Sequence, residues 1–267
     1  MGNVYESNKA VSEYLLFHYG ADDDVLPYAE GPHSALQFPR RCCSLTPPHT
    51  HTPSTAAICA DACQTNGVPL DRVLDVGCAV GAASFHLAKD YKEVVGVDFS
   101  HAFVAAANSM KSTGRAKYTL VVEADIKEER EALVSASIDR TRCTFQQGDA
   151  CALDPALGTF NVIHAANLLC RLPNPTAFLK SLPKFLKPGG LVVLVSPYSW
   201  MTGYTAKDKW VGGFVEDGKD HPSNRGVQAI MEADFRLLSE SDVPFLIREH
   251  ARKFQWGCSH CTVWQLR

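Results

Sequence analysis

The run Val73-Leu74-Asp75-Val76-Gly77-Cys78-Ala79-Val80-Gly81 constrains the fold more than any other part of the chain. A short apolar stretch that breaks into Gly-x-x-x-Gly and enters Ala82–Lys89 is the pattern of a buried strand, a tight turn and a helix. Gly77 and Gly81 remove side chains where a ligand must approach the main chain. The dinucleotide fingerprint G-x-G-x-x-G does not fit, because Ala79 and Ala82 stand where its second and third glycines belong. Asp75, just ahead of the first glycine, suggests a ligand with a cationic amino-acid end rather than a pyrophosphate.

Downstream, apolar runs alternate with helical segments. Strands are expected at Val94–Val97, Thr144–Gln146, Phe160–His164 and Leu191–Val195, and helices at Ala102–Lys111 and Pro175–Leu186. Such alternation makes an α/β fold, a parallel sheet covered on both faces. Tyr118–Val122 reads as an extra strand and Ile126–Ser135 as a charged helix. Val243–Glu249 and Cys261–Leu266, with no helix between them, read as an antiparallel pair. Acids recur at the expected strand ends. Asp98 in Val97-Asp98-Phe99 suits ribose hydroxyls, with Phe99 against an adenine. Gly148-Asp149-Ala150 offers a carboxylate and an N–H to an adenine edge, and Asn167 follows the fourth strand into the same crevice.

Residues 1–66 differ from residues 67–267. Tyr5–Tyr19 fits one amphipathic helix, a proline-rich stretch follows, and a second helix is expected from Ser54 to Asn66-Gly67. The first region is therefore expected to be a helical lid over a domain formed by the second. Charge adds little, because 26 Lys+Arg against 29 Asp+Glu leave a net charge of −3. That balance disfavours nucleic acid held by bulk charge. The longest clean aliphatic run, Leu191–Val195, falls far short of the ~20 residues of a membrane span. With no basic-then-apolar leader to read, a cytoplasmic location is the expectation. Cys59-x3-Cys63, Cys258-x2-Cys261 and His49 or His51 could be imagined as a zinc site. The alternating strand pattern around Cys261 makes buried reduced thiols the better reading, and no metal is expected.

The glycine loop with acids at successive strand ends resembles the class I S-adenosylmethionine-dependent methyltransferases. That resemblance implies a Rossmann-like seven-stranded sheet ending in an antiparallel hairpin. Other strings are similar to the methyltransferase domain of ovothiol biosynthesis, which methylates an imidazole nitrogen of 5-thiohistidine. They are Asn3-x-Tyr5-Glu6, Glu13-Tyr14-Leu15-Leu16-Phe17-His18-Tyr19-Gly20, Phe38-Pro39-x-Arg41-Cys42, Gln147-Gly148-Asp149-Ala150-Cys151, Ser196-Pro197-Tyr198-x-Trp200, Trp210-x-Gly212-Gly213-Phe214 and Arg252-Lys253-Phe254-Gln255-Trp256. The iron-binding His-x3-His-x-Glu segment of the larger ovothiol synthase is absent from this sequence. The resemblance therefore extends to the methyl-transfer part, fused to or acting after a sulfoxide synthase domain.

The cofactor implied is S-adenosylmethionine, with Asp75, Gly77, Cys78, Ala79, Gly81, Asp98, Phe99, Ser100, Gly148, Asp149, Ala150 and Asn167 as its candidate contacts. For a small amino-acid substrate the candidates are Tyr5, His18, Tyr19, Asn167, Tyr198, Trp200 and Trp210, with Arg41 first and Arg252 or Lys253 second for its carboxylate. Packing competes with function for His18, Trp200 and Trp210, and a solvated strand face competes for Lys253. A methyltransferase for another small amine, thiol or carboxylate, and a catalytically silent cofactor-binding module, are the alternative readings. A dehydrogenase is disfavoured by the glycine spacing.

Overall fold

The computed structural model describes residues 4–39 and 54–267. Seven strands form the central sheet: β1 Arg72–Val76, β2 Glu93–Asp98, β5 Cys143–Gln147, β6 Phe160–Ala166, β7 Leu186–Ser196, β10 Phe235–His250 and β11 Lys253–Leu266. Their order is β10-β11-β7-β6-β1-β2-β5. The five from β7 to β5 are parallel, β11 runs antiparallel to β7, and β10 runs antiparallel to β11. Valine-rich runs with both faces buried explain the parallel strands, since no polar side chain interrupts Leu191–Val195 or Val94–Val97. The strand order reverses between β1 and β6, so the crevice outside their carboxyl ends is where an open α/β sheet binds ligands.

The helices are α1 Asn8–Tyr19, α2 Asp22–Val25, α3 Thr55–Asn66, α4 Ala82–Leu87, α5 His101–Thr113, α6 Pro175–Ser181 and α7 Ser223–Met231. Ser7 caps α1 by accepting from the Ala10 N–H, and Ser54 caps α3 by accepting from the Ala57 N–H. Gly67 ends α3 in the left-handed conformation, as its sequence promised. Apolar side chains of α1, α3, α4 and α5 share one core with β1, β7 and β11. A second core lies on the other face, under α6 and α7.

Several elements depart from the sequence reading. The expected charged helix over Ile126–Ser135 is a strand, β4 Ile126–Leu133, paired antiparallel with β3 Arg115–Glu123. Its Glu and Lys residues favour helix intrinsically, but the partner strand decides: Glu131 stands opposite Lys117 and Arg130 opposite Tyr118, while Ala132 is buried. The helix expected over Pro175–Leu186 ends at Ser181 and gives way to a 3-10 turn containing Pro183, which has no N–H to continue the ladder. The first two residues of the helix expected from Tyr5 belong to a separate 3-10 turn, Val4–Glu6, and Ser7 caps the helix that follows. Neither α7 nor the small hairpin of β8 Phe214–Glu216 and β9 Lys219–His221 had been expected.

The terminal hairpin is longer than its sequence pattern suggested. β11 leaves β7 at His260, opposite Ser196, so residues 253–259 and their β10 partners project past the carboxyl edge of the sheet. This arm is stitched to the N-terminal region. Arg248 donates to the Asp24 carbonyl at 2.5 Å and to the Val121 carbonyl at 3.3 Å, and the Ala251 N–H donates to the Val122 carbonyl at 3.0 Å. Arg130 of β4 ion-pairs with Asp24 at 3.0 Å. The carboxyl edge is thus framed by α1, α2, β3 and the arm.

Among the described residues no helix is long and apolar enough to cross a membrane. No group of three or more His, Cys, Asp or Glu among them is placed to hold a metal ion. Burial pushes the Cys59 and Cys63 thiols above their usual range.

Candidate active site

The glycine loop is held open by backbone geometry. Gly77 and Gly81 adopt φ of +77° and +88°, where a side chain is strained. A Cβ at Gly77 would meet Leu168 Cδ1 at 3.0 Å, and one at Gly81 would meet Phe145 Cζ at 3.0 Å. The N–H groups of Gly77 and Cys78 both donate to the Val97 carbonyl, at 2.8 and 3.1 Å, which ties the loop to β2. Ala79 is a non-glycine residue at φ 47°, and its N–H donates to Asp98 Oδ2 at 2.9 Å. The carboxylate of Asp98 thereby helps offset the strain beside it.

Asp98 ends β2, and its Oδ1 accepts from the Ser100 N–H at 2.9 Å. Burial pushes its carboxyl above the ordinary range, and the two N–H donors partly offset this. Phe99 is 60% exposed at the same strand tip. A large aromatic held out beside a buried carboxylate is the pairing a nucleoside needs. Across the crevice, Gly148 donates its N–H to the Asp98 carbonyl at 3.0 Å, and Asp149 accepts from the Cys151 N–H at 2.8 Å. Asp98, Phe99, Gly148, Asp149 and Ala150 therefore gather at one end of the sheet.

Asp75 is placed differently from Asp98. Its carboxylate is 1% exposed, accepts from Ser84 Oγ at 2.5 Å, and lies 2.7 Å from His164 Nδ1. The pleat explains this. Asp75 is in register with Gly96 on one side and His164 on the other, inside the sheet, so its side chain braces β1, β6 and α4 beneath the loop. Both of its oxygens are thereby engaged within the fold.

The N-terminal segment closes over this edge. Ser100 Oγ donates to the Tyr5 carbonyl at 3.0 Å, while Glu6 accepts from the His101 and Ala102 N–H groups at 3.0 and 3.1 Å. Glu6 places a negative charge at the N-terminus of α5, where the helix dipole favours it. Tyr5 packs against Tyr14, Phe103 and Tyr204, with 3.4 Å between its hydroxyl and that of Tyr204. Burial raises the Tyr5 phenol well above its usual range and pushes Tyr14 up to about 12. Burial thus favours the protonated hydroxyl at both, a form suited to orienting a ligand. His18 is buried beside Tyr14 and Phe17. Tyr19 donates its hydroxyl to the Val80 carbonyl at 2.8 Å and thus straps α1 to the glycine loop, where the sequence had made it a substrate contact. Asn167, at φ 54°, accepts from Ser259 Oγ at 2.7 Å, so the arm reaches the tip of β6.

Four further candidates are engaged in other bonds. Tyr198 lies 3.1 Å from His260 Nδ1, and His260 points to the opposite face of β11 from its neighbour Ser259. Trp200 and Trp210 stack on each other at 6.2 Å and spend their N–H groups on Ser223 Oγ and the Thr205 carbonyl. Lys253 stands at the far turn of the arm, 63% exposed, in an ion pair with Glu249 at 2.6 Å. Among the described residues no hydrogen bond, ion pair or ring contact joins any of the four directly to Asp98, Phe99 or Asp149. Arg41 lies outside the described residues. Sequence reasoning passed over Arg171, whose guanidinium lies 5.0 Å over the Tyr204 ring. Its one signal was a lone cation in Leu168-Leu169-Cys170-Arg171-Leu172.

Comparison with known proteins accords with this geometry. A family model described as a methyltransferase domain matches residues 42–238. Phosphoethanolamine N-methyltransferase 1 of Triticum aestivum is 28% identical over 150 residues, covering 56% of this chain and 25% of that protein. Ubiquinone biosynthesis O-methyltransferase of Idiomarina loihiensis is 25% identical over 163 residues, covering 59% of this chain and 56% of its own. The chain therefore spans less than two thirds of the length of these relatives. Among solved structures, a S-adenosylmethionine-dependent methyltransferase from Clostridium acetobutylicum superposes with TM-score 0.51 at 14% identity, over 79% of this chain and 90% of that one. Magnesium protoporphyrin IX methyltransferase from Synechocystis, with bound S-adenosylhomocysteine, gives 0.50 at 16% identity, over 80% and 82%. The chain belongs to the methyltransferase-domain family, and its fold is that of class I S-adenosylmethionine-dependent methyltransferases.

Proposed function

We propose that this enzyme methylates an imidazole nitrogen of 5-thiohistidine, the step that completes an ovothiol. The observation that carries this reading is the aromatic lid: Tyr5, from the N-terminal strings, packs against Tyr14 and stacks on Tyr204 beside the Asp98 edge. Flat rings with neutral hydroxyls suit a small aromatic heterocycle that must be oriented, not deprotonated. The strings Asn3-x-Tyr5-Glu6 and Glu13–Gly20 that place these rings are those that resemble the ovothiol methyltransferase domain.

The residues present fit S-adenosylmethionine. The glycine cradle has no room for side chains at Gly77 or Gly81, and Asp98 is a buried carboxylate beside the exposed Phe99. Gly77–Gly81 would hold the amino-acid end, Asp98 the ribose and Phe99 with Asp149 and Ala150 the adenine. When bound, the cofactor supplies a methyl group on a sulfonium, open to in-line attack by a neutral nucleophile. The chain's own task is then positional. The lid excludes water, the tyrosine hydroxyls and Asn167 set which ring nitrogen faces the donor, and such orientation alone can contribute ~7–11 kcal/mol. The ring proton leaves to solvent once the methylated product is released.

The decisive experiment incubates the protein with S-adenosylmethionine and either 5-thiohistidine or histidine, and reads the products by mass. A methylated 5-thiohistidine is the expected product. Methylation of histidine alone, or of neither, refutes the substrate assignment and leaves another small amine, thiol or carboxylate metabolite as the acceptor.

A further inference from the structure

The 3-10 turn Leu169–Arg171 follows β6 and delivers a guanidinium into the aromatic cluster. Its Nη1 donates to the Ser199 carbonyl at 2.7 Å, the Cys170 carbonyl at 3.1 Å and Cys170 Sγ at 3.3 Å. Among the described residues Nε and Nη2 donate to nothing, and no carboxylate lies within ion-pairing distance. Arg72 instead holds Glu93, Arg130 holds Asp24 and Glu128, and Arg142 holds Asp139, while Arg248, like Arg171, bonds backbone carbonyls but lies in the arm away from the aromatic cluster. Arg171 is half-buried, over Tyr204, and its charge opposes the upward pull of burial at both Tyr5 and Tyr14. A cation taken partly out of water without a counter-ion is costly. The same cation with one fork edge unused is ready for an incoming oxyanion.

We propose that Arg171 binds the anionic head group of the substrate through its Nε–Nη2 edge, two parallel bonds to two oxygens. This rests on the reading of a small amino-acid metabolite as substrate, whose α-carboxylate is the oxyanion; a phosphate monoester presents the same two-oxygen face. The arginine thereby selects anionic over simple amine substrates, and fixes one end of the molecule while Tyr5, Tyr14 and Tyr204 fix its ring. The rival role is a brace, with Arg171 merely holding the Ser199 carbonyl and the Tyr204 ring in place.

The test is a cycle between residue and ligand group. 5-Thiohistidine and its decarboxylated amine are titrated by calorimetry into wild type and Arg171→Gln, each saturated with S-adenosylhomocysteine. Phosphoethanolamine and ethanolamine form a second pair. In wild type, loss of the anionic group should weaken binding roughly 10–100-fold, and in Arg171→Gln it should cost almost nothing further. Arg171→Lys, which keeps the charge but not the fork, should recover part of the affinity. Dependence on Arg171 in the phosphate pair alone keeps this assignment and removes the amino-acid substrate. Equal losses in both proteins, binding by neither pair, or a fall in S-adenosylhomocysteine affinity instead would overturn it. A lowered melting temperature with the ligand pattern of wild type would leave only the brace.

Discussion

Replacing Tyr19 by Phe isolates one atom of the connection between α1 and the glycine loop. The ring stays, packed in the core, and only the hydroxyl that donates to the Val80 carbonyl at 2.8 Å is lost. Tyr19 is 7% exposed and Val80 is fully buried, so water cannot replace the donor. A neutral hydrogen bond contributes about 0.5–1.5 kcal/mol net, and an orphaned buried carbonyl costs about 1–3 kcal/mol. The substitution should therefore destabilise the protein by roughly 1–3 kcal/mol. For a chain of this size each kcal/mol lowers the melting temperature by about 2–4 °C.

The effect should reach the cofactor, because Val80 sits between Ala79, whose N–H engages Asp98, and Gly81, which opens α4. Thermal unfolding with and without S-adenosylhomocysteine separates the two parts: the apo midpoint drops, and the ligand-induced rise shrinks. The KM for S-adenosylmethionine should increase while kcat changes little. An unchanged midpoint and unchanged cofactor affinity, with a loss confined to kcat, would refute the strap and make Tyr19 a substrate contact, as its motif suggested.

Asp98→Asn should weaken S-adenosylhomocysteine at least about tenfold by calorimetry, since hydrogen bonds to a charged group contribute roughly 1.5–3 kcal/mol each. Because burial raises the Asp98 pKa above 3.8, wild-type cofactor affinity should begin to fall at a higher pH on acidification than an ordinary carboxylate would allow. The stability sign is opposite: the folded state holds this proton more tightly, so the apo protein loses stability as pH rises from 3.8 through the raised value, and stays level above it. Lys253→Ala removes an exposed pair with Glu249 and should leave melting temperature and kcat/KM as in wild type; a large loss of activity would return Lys253 to the site.

The sheet was readable because its signals are local. Val73–Val76, Phe160–His164 and Leu191–Val195 are mostly apolar runs, buried throughout, and each lies in a central strand. The placing of Asp98, Gly148 and Asp149 followed, because a residue at the end of a parallel strand has only one edge to occupy. What escaped depended on partners distant in sequence. β4 is a strand because β3 is there to pair with it. The arm extends past β7 because Arg248 finds backbone carbonyls at Asp24 and Val121, more than 100 residues away. Arg171 was hidden for a related reason: only the fold brings its guanidinium over Tyr204.

The two acids at adjacent strand ends show how fine the remaining distinction is. Asp75 and Asp98 carry the same group and looked equivalent as carboxylates aimed at a ligand. Asp75 still has a sheet neighbour on each side, and its register partner His164 and the following helix's Ser84 occupy its oxygens. Asp98 is the last residue of its strand, and its bonds go to N–H groups of the loops that form the crevice, Ala79 and Ser100. One carboxylate therefore fixes the floor of the loop and the other its rim. A ligand that reorganises the rim can exchange bonds at Asp98 without disturbing the core, whereas any exchange at Asp75 would have to break the junction of β1, β6 and α4.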